Sequence, residues 1–163
     1  MIEPQTQYER KIVSNVSQYG CHVTFVFDPE HNEPDFSYST GFTKTLRQGE
    51  VIVFGLPEDV MHSMINETMA QCLEGLTLDE GVPISGLLEG FDVVARAVCP
   101  EWIEREFFNS AMWFHRREFG SDLKAAYQLV WPSAVTGLFP WNEGCAQEVI
   151  DRQPALYQPV TTQ

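Results

Sequence analysis

Tyr8, Ile12 and Val16 recur every four residues with Val13 beside them, the period of one helical face, and Gly20 supplies a stop. A helix is therefore expected over 4–19. The pattern then changes. Residues 22–28, HVTFVFD, are rich in β-branched and aromatic side chains, which favours a strand. Asp28-Pro29 and the polar HNEPD that follows make a turn or loop. Residues 36–42, FSYSTGF, alternate large aromatic with small hydroxyl-bearing residues, the signature of a strand with unlike faces. Gly41 inside it signals a bulge or a close backbone approach. Residues 50–56, EVIVFGL, form the most apolar run and are expected at the centre of a sheet.

Pro57 suits a first helical position, and Glu58 and Asp59 complement the positive end of a helix dipole. Met61, Met64, Ile65, Met69, Cys72 and Leu73 continue as an apolar stripe to Gly75. Residues 76–90, interrupted by glycines and Pro83, read as a long connection. A strand is expected over 91–98, and a helical, aromatic-rich region over 100–119, broken near Asn109-Ser110. The last strand covers 125–131, stopped by Pro132. The first three strands are joined by connections too short for helical crossovers, so they should be antiparallel neighbours. The expected fold is a single α+β domain over 1–153, a mostly antiparallel sheet with helices packed on one face. The uncharged Pro/Thr-rich stretch 154–163 is expected to loop over the domain or fray from it.

At 163 residues the chain suits one domain, and 44% hydrophobic against 20% charged residues is a globular composition. No apolar run is long enough to span a bilayer and the amino terminus lacks the order of a secretory signal, which points to a cytoplasmic protein. The net charge of −13 is unevenly spread: from 48 to 95 there is no Lys or Arg among nine carboxylates. Such a surface repels nucleic acid and anionic membranes and attracts a basic protein partner, besides keeping the chain soluble. Cys21, Cys72, Cys99 and Cys145 show no metal or redox spacing; Cys72 and Cys99 read as small buried hydrophobes.

Little of the remaining pattern carries chemistry. His22, His31, His62 and His115 are unpaired with one another or with Cys and read as surface or capping residues, so no metal site is assigned. Asp28, Asp35, Glu50 and Asp92 lie at strand ends or near Tyr38 and read as turn or edge charges. Ser37, Ser39, Thr40 and Thr43 have neither a nucleophile elbow nor a local His. No glycine pattern matches a nucleotide fingerprint, and the GLPEDV turn serves helix capping. His115-Arg116-Arg117 reads as an internal ion-pair donor. The aromatic residues either close the core or line a pocket. The candidate binding residues are Tyr38, Thr40, Gln128, Trp131 and Trp141.

Three blocks stand together: YGCHVTFV at 19–26 followed by PDFSYSTGF at 34–42; EVIVFGLP at 50–57; and AYQLVWP at 126–132 with GLFPW at 137–141. Over about 15–145 the chain resembles a bacterial family, the domain of unknown function DUF4262. That family's pattern often has Trp where Cys21 stands, His-Pro where Gln48 and Gly49 stand, and Asp where Ser133 stands. If those His and Asp residues served a reaction, this chain lacks it, so the resemblance leans toward binding. A weaker, fold-level likeness is to the Suppressor-of-Fused-like domains that act as bacterial immunity proteins. The expected function is a non-enzymatic, acidic binding protein, immunity-like or regulatory, that engages a basic protein partner and carries no cofactor. The alternative is a small-molecule domain, a split barrel of the flavin-reductase kind.

Overall fold

Thr6 opens the first helix by accepting the Glu9 amide on its hydroxyl (3.0 Å), and Glu9 returns the favour to the Gln5 amide (2.8 Å). In the computed structural model, which describes residues 2–160, this capping box starts α1 (Gln7–Tyr19). The chain continues through β1 (His22–Val26), β2 (Phe36–Thr40), α2 (Phe42–Leu46), β3 (Glu50–Phe54) and α3 (Glu58–Leu73). Then come β4 (Pro83–Leu88), β5 (Phe91–Ala97), a 3-10 turn at Pro100–Trp102, α4 (Arg105–Phe119), β6 (Ala126–Val130) and α5 (Gln147–Asp151).

The strands form one open six-stranded sheet in the order β1-β2-β3-β6-β5-β4. β1, β2 and β3 are antiparallel neighbours, as the short connections require. The parallel pair is β3 with β6, Glu50 opposite Ala126 and Ile52 opposite Gln128. β1 and β4 are the edges, and the described pairings do not join them into the barrel of the alternative reading.

The α+β class agrees with the sequence, but the helices cover both faces rather than one. Val51 and Val53 of β3 join Met61, Met64 and Ile65 of α3 in one core. Ile52 and Phe54, pointing the other way, join Phe36, Tyr38 and the α4 residues Phe108 and Ala111 in a second. The unbroken apolar run of β3 is the cause: a strand without a polar face needs cover on both sides. Ile12 and Val16 of α1 add a smaller cluster against Phe114 of α4.

Two elements escaped the pattern. β4 lies within the expected long connection; it alternates exposed and buried positions and pairs with β5 across a tight turn, with a register shift between Ile84 and Leu88 where Gly86 sits. α2 is only five residues long and begins inside the aromatic stretch taken as strand. The break in the 100–119 region falls at Phe108, whose backbone leaves the helical region (φ −139°). Tyr38 explains how the break is stabilised: its hydroxyl accepts the Ser110 N–H (2.9 Å) just beyond it.

Of the C-terminal stretch, residues 154–160 loop over the domain, and 161–163 lie outside the described residues. The Leu156 carbonyl accepts the Cys99 amide (2.8 Å), the Gln158 carbonyl accepts Trp102 Nε1–H (2.7 Å), and Leu156 is buried. Among the described residues no helix is long and apolar enough to cross a membrane.

Candidate functional site

Four of the five candidate binding residues are built into the core. Tyr38 is buried and caps the α4 break. Thr40 is fully enclosed, and its hydroxyl has no hydrogen-bond partner. Trp131 donates Nε1–H to the Phe54 carbonyl (2.7 Å) and its backbone N–H to Gln153 Oε1 (3.0 Å). Gln128 donates to the Pro154 carbonyl (2.8 Å) and accepts the Leu156 N–H (2.9 Å), so it straps the C-terminal stretch to β6. Changing Gln128 to Leu leaves the two backbone groups only each other, the Leu156 N–H at 3.2 Å from the Pro154 carbonyl. The expected loss is about 2 kcal/mol in a urea titration, with faster amide exchange at Leu156.

Trp141 alone reaches the surface, at 39% exposure. It stacks on Phe139 (5.0 Å between centroids, 6° between planes), and the Arg96 guanidinium lies 4.4 Å from its ring and 4.2 Å from that of Tyr157. Arg96 also pairs with Glu80. The basic triplet is consumed internally, as its acidic neighbours imply: Arg116 pairs with Asp122 (3.3 Å) and Arg117 with Glu118 (2.6 Å).

The carboxylates divide in an unexpected way. Asp28 does make a turn, accepting the amides of Glu30, Asn32 and Glu33, and these bonds hold its carboxyl below the usual range. Glu50, read as an edge charge, is instead buried at the head of β3. Its two oxygens accept the Ser39 hydroxyl (2.7 Å) and the backbone N–H groups of Gly41 (2.9 Å) and Phe42 (3.1 Å). Ser39 Oγ in turn accepts the Val51 N–H (2.9 Å), taking over where the β2–β3 ladder ends. Burial pushes the Glu50 carboxyl up to about 7, against the opposing pull of the three donors. The signal in the sequence was a Glu heading the most apolar strand, opposite a Ser-Thr-Gly turn.

A cleft of about 560 Å³ opens beside the β1 edge. Lys11, Asn15 and Tyr19 line one side, spaced four apart along a single stripe of α1. His62, Asn66 and Met69 line the other from a stripe of α3. Cys21, His22 and Val23 form the floor. His22, expected at the surface, is 7% exposed. Its Nδ1 accepts from the Asn15 amide (2.9 Å), which leaves the proton on Nε2, facing Tyr8 OH (3.4 Å). Burial lowers its pKa to about 4, assisted by the nearby charges of Lys11 and His62. The Cys21 thiol donates to Asn66 Oδ1 (3.9 Å), and burial, with Glu50 behind it, pushes it up to about 12.

Thiol and imidazole are thus both neutral and both engaged, so their adjacency does not make a nucleophile and base. Cys72 is buried and Cys99 half-buried, and all four thiols are free. Among the described residues no three His, Cys, Asp or Glu side chains gather as a metal-binding group.

Fold and site together define an α+β domain with an open, doubly covered sheet and a polar cleft at one sheet edge. The chain belongs to the family described as Domain of unknown function (DUF4262), whose family model matches residues 15–146. That span takes in every residue lining the cleft except Lys11. No curated protein and no solved structure matches the chain.

Proposed function

We propose that this is a non-enzymatic binding protein whose acidic face engages a basic protein partner. One observation carries the reading: α3 and the β4–β5 hairpin present carboxylates without an intervening cation. Glu58, Asp59, Glu67, Glu74, Asp79, Glu89 and Asp92 are exposed and, among the described residues, form no ion pair. The Gln71 side chain bonds the Ser85 carbonyl (2.7 Å), which ties helix and hairpin into one surface. At its margin Glu80 holds Arg96 against Trp141, so the exposed indole borders the acidic face as an aromatic anchor.

Charge of this kind acts first on encounter, raising the association rate with a cationic surface and losing that advantage as salt is added. Immobilised protein should retain basic proteins from a cell extract at low salt and release them at high salt. The triple variant Glu74→Lys/Glu89→Lys/Asp92→Lys should lose them. A retained set that ignores both the salt and the charge reversal would count against the reading, as would retention of nothing.

A further inference from the structure

We propose that the cleft between α1 and α3 is a second, separate binding site, one for a small organic anion. Its carboxylate or phosphate is held by Lys11, His62 and the Asn66 amide, and its apolar body rests on Val23, Met69 and Tyr19.

The lining sets the charge of the ligand. The chain carries 23 acidic side chains against 10 Lys and Arg, yet no carboxylate lines this cleft. The other described hollows each include at least one: Asp122 in the hollow beside His115 and again beside Trp113, Glu33 with further acids in the two near Pro34. Glu50, which lies behind Cys21 of the floor, is 2% exposed and committed to three internal donors. An anion in the cleft therefore meets cationic and amide groups with no acid at the wall, on a protein that elsewhere repels it.

The hydrogen-bond inventory points the same way. His22 and the Asn15 amide group satisfy each other, and Asn66 Oδ1 is taken by the Cys21 thiol. Among the described residues Lys11 has no ion pair, and neither the His62 ring nor Asn66 Nδ2 has a hydrogen-bond partner. The Lys11 ammonium, the Asn66 NH2, one His62 N–H and the Tyr19 O–H remain as donors, from two facing helices, against fewer free acceptors: Asn15 Oδ1, the second His62 nitrogen and the Tyr19 oxygen. Donors in excess match a carboxylate or phosphate, which only accepts. The volume, about 560 Å³, falls within the range of small-molecule sites. Val23, Met69 and the Tyr19 ring supply the apolar share that such sites need. With the Cys21 thiol protonated and occupied, binding is reversible rather than covalent.

The test uses the full chain and four small probes that share a phenyl ring: benzoate, phenyl phosphate, benzylamine and benzyl alcohol. Amide shifts in a titration followed by NMR should move at the cleft-lining residues with benzoate or phenyl phosphate, and at least tenfold less with benzylamine or benzyl alcohol. Which of the two anions binds tighter assigns the head group. Asn66→Asp keeps the oxygen that accepts from Cys21 and replaces only the free NH2 by a charge. It should weaken the anion tenfold or more, as should Lys11→Glu, both at exposed positions where folding is checked by the unshifted remainder of the spectrum. Glu74→Lys/Glu89→Lys/Asp92→Lys should leave the shifts in place, which separates this site from the acidic face. Equal shifts from benzylamine and benzoate, or anion binding that survives both cleft substitutions, would overturn the proposal; so would silence from both anions at millimolar concentration.

Discussion

Replacing Glu50 by alanine lowers the unfolding free energy by about 4 kcal/mol at pH 5, and by half of that or less at pH 8. The first figure follows from what the carboxyl satisfies: the Ser39 hydroxyl and the Gly41 and Phe42 amides, all buried, lose their acceptor together. The second follows from linkage. The Glu50 carboxyl rises from 4.5 when unfolded to about 7 when folded, so its contribution is fully present below 4.5 and is lost as pH rises through 7. The full difference is worth about 3 kcal/mol, because the buried site prefers the neutral acid. His22 runs the other way: its pKa falls from 6.5 to about 4, so its contribution is present above 6.5 and is lost as pH falls through 4. The two slopes offset each other in the native protein, and subtracting the variant from it isolates Glu50. Urea titrations of both proteins at the two pH values provide the check. A penalty equal at pH 5 and pH 8 would show that the carboxyl is not buried as described.

The second large effect is expected at Gly41. This residue has φ +105°, a left-handed conformation, and a Cβ built on it lies 2.8 Å from both methyl groups of Val16. Gly41→Ala therefore combines backbone strain with overpacking, for a loss of about 3 kcal/mol. The double variant Val16→Ala/Gly41→Ala should suffer less than the sum of the two single changes, since shortening Val16 removes the clash and leaves only the strain. Strict additivity in thermal unfolding would refute the contact between α1 and the β2–α2 turn. The steric and the electrostatic predictions meet at one place, because the Gly41 amide is also a Glu50 donor.

Gly41 also marks how far the sequence could be read. Its placement inside an apolar pattern announced a close approach, but not that the chain turns there into α2. The strands and long helices were legible because each repeats one period over a whole element. β4 was not: Pro83 and Gly86 mask its alternation, and its evidence is the pairing with β5. The two-sided cover of the sheet was implicit in EVIVF, which has no polar face, though the class was expected with helices on one side. The cleft was invisible for a different reason. Lys11 and Asn66 are ordinary surface residues in sequence, and only the flanking of the β1 edge by α1 and α3 brings their stripes together. Trp131 and Gln128, singled out in the sequence as candidate binding residues, are employed in the structure in tying Phe54, Pro154 and Leu156 to the sheet.

The central position of β6 governs how the chain must come together during synthesis. β6 lies between β3 and β5, yet it is the last of the described strands to be made, separated from β3 by more than seventy residues. Until residue 130 has left the ribosome, β3 is an open edge carrying the most apolar sequence in the protein, a ready template for pairing between nascent chains. A truncation ending before 126 keeps that edge permanently and should self-associate, while the full chain seals it by a single parallel pairing.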